Sequence, residues 1–337
     1  LEKGLSADPD IEVVGKAIDV YAARDKIVFL KPDVITLDVE MPRMDGVEFL
    51  RRLMPQYPLP VLMVSSMTKE GGQITLEALQ AGAVDFIQKP SSNVGDGLRA
   101  MLGELRQKVK DSAHADVSKW KKIREEREAE PGAKEALRRT RVLAGSTDKV
   151  IAIGASTGGT VALHEVVESF PPDMPGTVIV QHMPPVFTKM FAEALNKESA
   201  VEVKEAQDGD RVVQGRVLIA PGDFHMRVKR SGGRYIVECR PGDKVNGHCP
   251  SVDVLFESVA QEVGANAVGA LLTGMGRDGA QGMVAMRQAG ARCMAQDEAS
   301  SIVFGMPKEA WTMGGAEKLV SLGKVTSEII ACLKAMA

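Results

Sequence analysis

Short β-branched runs alternate with segments of helical period along this chain, and the alternation occurs twice. From residue 11 the series reads IEVVGKAI, DVYAARDKIVFLK, DVITLD, GVEFLRRL, PVLMVSS, QITLEALQAG and VDFIQKP, closing on a helical segment, GLRAMLGELRQKVK. Strands spaced by helices cannot pair as hairpins, so they predict βαβ units and a parallel sheet. Residues 114–148 break the pattern with dense mixed charge, including KWKKIREEREAEPGAKEALRR. Glu and Lys/Arg recur there at helical spacing, interrupted by Pro131 and Gly132, which predicts a partly helical linker. A second series starts at VIAIGAS. At 337 residues the chain is long enough for two cores. The expected domains are therefore 1–113, a linker over 114–148, and 149–337.

In the second domain a helix is expected from about Gly159, then strand TVIVQH, helix SVDVLFESVAQEV, strand AVGALLTG, helix GAQGMVAMRQAG and strand ARCMAQ. Between about 201 and 240 the pattern changes to short strands with hairpin turns expected at QG and SGG, an antiparallel β insertion. The fold class is thus α/β, two doubly wound parallel-sheet domains. A net charge of -3 and a pI near 6.1 supply no global positive field, which argues against nucleic acid or anionic lipid as a bulk partner. No apolar run approaches the roughly 20 residues of a membrane span, and no secretory signal pattern opens the chain, so a cytoplasmic location without membrane insertion is expected. Cys239, Cys249, Cys293 and Cys332 form no CxxC pair, which fits a reducing compartment and excludes a zinc ribbon. The opening LEKGLSADPD reads as the end of a helix, and further residues are expected upstream.

Parallel strands carry their sites at the carboxyl edge. In the first domain DVITLD ends in Asp38, PVLMVSS in Ser65 and Ser66, and VDFIQKP in Lys89 before Pro90. A carboxylate beside a lysine and a hydroxyl is the set that makes and holds an acyl phosphate; helix capping is the other role open to Asp38. DVEMPRMDG, VLMVSS and IQKP resemble the receiver domains of two-component signalling over about residues 10–113. That resemblance implies a flavodoxin-like fold, Asp38 as phosphoacceptor, Ser65 as switch hydroxyl, Lys89 as phosphate contact and Phe86 as switch aromatic. Magnesium would be held by Asp38 and the backbone carbonyl of Glu40. The family's first strand, with its metal-binding acidic pair, has no counterpart here, so the receiver is read as incomplete and magnesium is not expected to bind this chain.

In the second domain Gly154, Ser156 and Gly158 spell G-x-S-x-G where strand VIAIGAS meets a helix, the arrangement that exposes a serine nucleophile. First-turn N–H groups, Thr157 among them, would face a developing oxyanion. A capped Gly-rich turn is the structural alternative. A phosphate loop is disfavoured because no Gly-Lys-Ser/Thr follows. Strand TVIVQH delivers His182 to the same edge, and AVGALLTG runs into GMGRDG with Asp278, which could orient the imidazole or cap the helix GAQGMVAMRQ. His114, His164 and His225 lie off this edge, whereas His248, before CPSVDVLF, is a candidate lining a substrate groove.

IGASTGG, VIVQHM, HCPSVDVLF and LTGMGRDG together resemble the catalytic domain of chemotaxis protein-glutamate methylesterases, CheB, over about residues 149–337. The resemblance implies a Rossmann-like domain, a Ser156, His182 and Asp278 triad with the Met275 N–H at the oxyanion, and no cofactor for catalysis. Its substrates would be γ-glutamyl methyl esters, and certain glutamines, on chemoreceptor helices. A chemotaxis histidine kinase would phosphorylate the receiver to gate the esterase. A non-catalytic regulator and a small-molecule esterase are the competing classes.

Overall fold

The computed structural model describes residues 1–41, 44–66, 69–89, 96–119, 132–138 and 148–336. The chain divides into two compact units, residues 1–121 and 122–337.

In the first unit, strands β1 (Ile35–Asp38), β2 (Val61–Ser65) and β3 (Asp85–Gln88) form a parallel sheet in that order, interleaved with helices Val20–Leu30, Gly46–Gln56, Lys69–Gln80 and Asp96–Ala113. Central β2 is buried along its whole length, as expected of a parallel strand covered on both faces. IEVVGKAI is not a strand: residues 11–17 have no regular structure. β1 has no second neighbour among the described residues, so that segment has no ladder to join, and Ile11 and Val13 instead pack against the apolar cluster of Leu62, Ile87, Met101 and Leu105.

The second unit is built on seven parallel strands, in the order β12-β11-β10-β4-β5-β7-β6. Their ranges are β4 Val150–Ala155, β5 Gly176–Gln181, β6 Glu202–Glu205, β7 Arg216–Ile219, β10 Ala267–Leu271, β11 Arg292–Gln296 and β12 Lys318–Val320. β4, β5 and β10 are buried throughout. Strand order runs outward from β4 in both directions, so the crevice where parallel sheets bind ligands lies beside its carboxyl end. The antiparallel insertion is narrower than expected. SGG does turn a hairpin, β8 (Phe224–Ser231) onto β9 (Arg234–Pro241), with φ of 55° and 80° at Gly232 and Gly233. QG does not, because β6 and β7 are parallel members of the main sheet.

Part of the charged stretch belongs to the second unit. Helix Ala133–Arg138 places Lys134 Nζ 2.8 Å from Glu165 and 2.7 Å from Glu168, while Arg138 donates to the carbonyls of Glu168 and Glu198. Those carbonyls end two helices, where cations are favoured. The expected linker positions 120–131 and 139–147 lie outside the described residues.

Candidate active site

The carboxyl ends of β4, β5 and β10 bring Ser156, His182 and Asp278 together. Ser156 Oγ lies 3.1 Å from His182 Nδ1, and His182 Nε2 lies 2.8 Å from Asp278 Oδ2. The Asp278 side chain is 1 % exposed and that of His182 6 %, so this relay is shielded from water.

Local sequence accounts for the turn, with one revision. Gly154 serves close packing rather than bending: an ideal Cβ there would collide with Val252 Cγ1 and stand 2.8 Å from Leu271 Cδ1. The left-handed backbone falls on Gly158, at φ 75°. Gly154→Ala is therefore expected to overpack the seam, costing about 1–3 kcal/mol, measured as a lowered midpoint in chemical denaturation of the full chain. Beneath the turn, Gln181 Nε2 donates to the carbonyls of Ser156 (3.0 Å) and His182 (3.3 Å), tying the two backbones. Gly274 approaches from β10, where a Cβ would come 2.8 Å from Ser156 Cβ. The Thr157 carbonyl accepts the Thr273 hydroxyl at 3.0 Å, fixing the start of the helix Gly159–Glu168.

Asp278 does not cap the helix that follows it, whose N-cap is Gly279 without a side-chain bond. It accepts instead from the N–H groups of Val252 (2.6 Å) and Asp253 (3.2 Å), at the start of helix Val252–Glu262. Ser251 Oγ (2.7 Å) and Asn246 Nδ2 (2.9 Å) donate to it as well. Burial opposes ionisation of this carboxyl, but the bond and charge of His182, with Asn246 and Ser251, outweigh it and hold the group well below the ordinary carboxylate range. An ionised carboxylate only accepts, so His182 Nε2 carries a proton, and in the uncharged tautomer Nδ1 is left to accept from Ser156.

His248 stacks on His182, with ring centroids 3.6 Å apart and planes 9° from parallel. Asn246 is a site residue that the sequence motifs do not single out, although a signal for it exists: Asn-Gly flanked by pairing residues is the strongest two-residue hairpin cue. Val245 and His248 do pair across Asn246 (φ 51°) and Gly247 (φ 86°). Of the four non-glycine residues with positive φ among the described residues, Asn246 belongs to this turn, Val186 lies four residues beyond His182, and Asp223 donates its N–H to the Cys249 carbonyl. Such backbone concentrates where function requires it.

The other histidines have structural partners: His114 the Lys110 carbonyl, His164 Glu198, and buried His225 the Asp243 carbonyl and the Ser251 N–H. The cysteines are not rival nucleophiles. Burial pushes the thiols of Cys239 and Cys293 up to about 12.

In the first unit Lys89 Nζ lies 2.6 Å from Asp38 Oδ2, and the Glu40 N–H donates to Asp38 Oδ1 at 3.1 Å. Helix capping falls to Asp45, which accepts from Glu48 N. Ser65 is fully buried; its hydroxyl donates to the Gly71 carbonyl and accepts from Thr75 at 2.6 Å, whereas neighbouring Ser66 reaches Glu40. Phe86 is buried beneath the Lys108 ammonium, 5.4 Å from its ring centroid. Magnesium takes about six oxygens. Among the described residues no three His, Cys, Asp or Glu side chains converge on a metal position, and Asp38 already gives both oxygens to protein donors.

Comparison with known proteins agrees with both halves. The receiver domain of response regulators matches residues 1–100, and CheB methylesterase matches residues 151–329. A protein-glutamate methylesterase/protein-glutamine glutaminase of Syntrophotalea carbinolica is 63% identical, over 99% of this chain and 93% of its own length. The Salmonella typhimurium protein of the same name is 49% identical, over 98% and 92%. The crystal structure of the Thermotoga maritima CheB methylesterase catalytic domain superposes with a TM-score of 0.54 at 37% identity, covering 55% of this chain and 99% of that one. Fold and site together define a hydrolase carrying a response-regulator receiver. The chain belongs to the CheB methylesterase family. No helix among the described residues is long and apolar enough to cross a membrane.

Proposed function

We propose that this protein hydrolyses γ-glutamyl methyl esters on the cytoplasmic helices of chemoreceptors, releasing methanol, and deamidates receptor glutamines by the same route. The observation that carries this reading is the relay from Ser156 through His182 to Asp278, with its 3.1 and 2.8 Å spacings. Ser156 Oγ attacks the ester carbonyl as His182 Nδ1 takes its proton; the imidazolium, stabilised by Asp278, returns that proton to departing methanol. Water, deprotonated by the same nitrogen, then cleaves the glutamyl-enzyme. With a glutamine the leaving group is ammonia. The N–H groups of Thr157 and Met275 receive the oxyanion, and no metal enters these steps.

The test is methanol release from methylated receptor membranes by the full chain, beside a small methyl ester. Receptor should be strongly preferred; equal turnover of both would replace this reading with a general esterase.

In this reading the receiver gates access, through phosphorylation of Asp38 by the chemotaxis histidine kinase and rearrangement of Lys89, Ser65 and Phe86.

A further inference from the structure

We propose that the turn 245–248 is a clamp that positions the His182–Asp278 pair, His248 holding the imidazole plane and Asn246 holding the carboxylate; the inference rests on the serine-hydrolase reading above.

An imidazole on one side-chain torsion can rotate about its Cβ–Cγ bond, and its bond to Asp278 restrains only one edge. The parallel His248 ring at 3.6 Å closes one face and resists that rotation. Aromatic pairs of this kind contribute beyond simple area burial. The same turn reaches the acid. Asn246 Nδ2 donates to Asp278 Oδ1 at 2.9 Å and to Asp253 Oδ2 at 2.6 Å, while Asp253 Oδ1 accepts the Gly282 N–H. One amide thus bridges two buried carboxylates, on helix Val252–Glu262 and on the loop after β10.

The turn is rigid enough for the task. Val245 and His248 exchange backbone hydrogen bonds of 3.0 and 2.9 Å, and both central residues have positive φ, the two-residue geometry that Asn-Gly adopts with least strain. His248 and Asn246 leave opposite arms of one bend, so ring and carboxylate are registered against each other. In the proposed steps His248 neither takes nor gives a proton and acts through the His182 ring that it covers. It is a positioning residue, and any flat aromatic ring should serve in its place.

The experiment compares wild type, His248→Ala and His248→Phe as full chains. Two rates are read: sulfonylation of Ser156 by phenylmethanesulfonyl fluoride, which needs no receptor, and methanol release from receptor membranes. The alanine variant should lose about tenfold in both the labelling rate and kcat with KM within twofold, and phenylalanine should recover to within about threefold of wild type. A residue that only lined the substrate groove would raise KM and leave labelling untouched. Labelling at the wild-type rate in His248→Ala, or phenylalanine no better than alanine, overturns the clamp. Should the alanine variant not fold, nitrogen-15 shifts of His182 in wild type and His248→Phe decide: both should show the proton on Nε2, and its transfer to Nδ1 in the phenylalanine variant overturns the proposal. Slowed labelling in His248→Ala without methanol release by wild type would leave the clamp standing and remove only the receptor substrate.

Discussion

Replacing Ser156 by alanine is expected to lower methanol release about 10³-fold or more while leaving the unfolding midpoint close to wild type. The magnitude follows from the route: without Oγ no acyl-enzyme forms, and the residual rate is what oxyanion donors and binding give to direct attack by water. Stability is spared because the hydroxyl's partner is His182 Nδ1, whereas the backbone bonds that hold the turn, from Ser156 N to the Thr273 carbonyl and from Gly159 N to the Ser156 carbonyl, survive the change. Steady-state methanol assays with matched denaturation curves check both parts. Release within tenfold of wild type would remove Ser156 as nucleophile.

Asp278→Asn carries the second large effect, and it acts on two levels. An amide keeps the size of the carboxyl but loses the charge that stabilises the imidazolium, and its NH₂ cannot accept. A rate loss of about 10²–10⁴ is expected. Because Asp278 also accepts from Ser251, Asn246 and the first N–H groups of helix Val252–Glu262, folding should weaken by about 1–3 kcal/mol at neutral pH. The pH dependence has a definite sign. The folded carboxyl titrates below its unfolded value, so its contribution is fully present above the ordinary carboxylate range and is lost as pH falls through about 4 toward the folded value. The stability gap between wild type and variant should therefore narrow on acidification. Denaturation at pH 7 and pH 3 measures it; a constant gap would show that the amide, not the lost charge, sets the cost.

Much of the site is legible in the sequence. Ser156, His182 and Asp278 each follow an apolar run of strand length, and parallel strands deliver their carboxyl ends to one edge, so three separated motifs imply one constellation. The same logic places Asp38 and Lys89 together. Position along the strand is a weaker guide at Ser65. Ser65 is buried against Gly71 and Thr75 while Ser66 reaches Glu40, a difference that position along the apolar run does not reveal. The strand expected at IEVVGKAI does not form because β propensity describes a residue's fitness for a ladder and does not supply one.

What the sequence by itself determined was periodicity and punctuation: two α/β series, the glycines of the Ser156 turn, and the chemistry-bearing residues at strand ends. Those are local properties, set by φ/ψ preference and by the spacing of apolar side chains. Only the tertiary structure decided that β6 and β7 run parallel, that Asp278 anchors a helix begun 26 residues earlier, that His182 turns Nδ1 toward Ser156, and that His248 lies flat against it. Each of these depends on which distant segments close on one another and in what register. That choice is governed by the packing of β4, β5, β10 and helix Val252–Glu262 as a whole, since a buried donor or acceptor must find its partner wherever the fold brings one within reach.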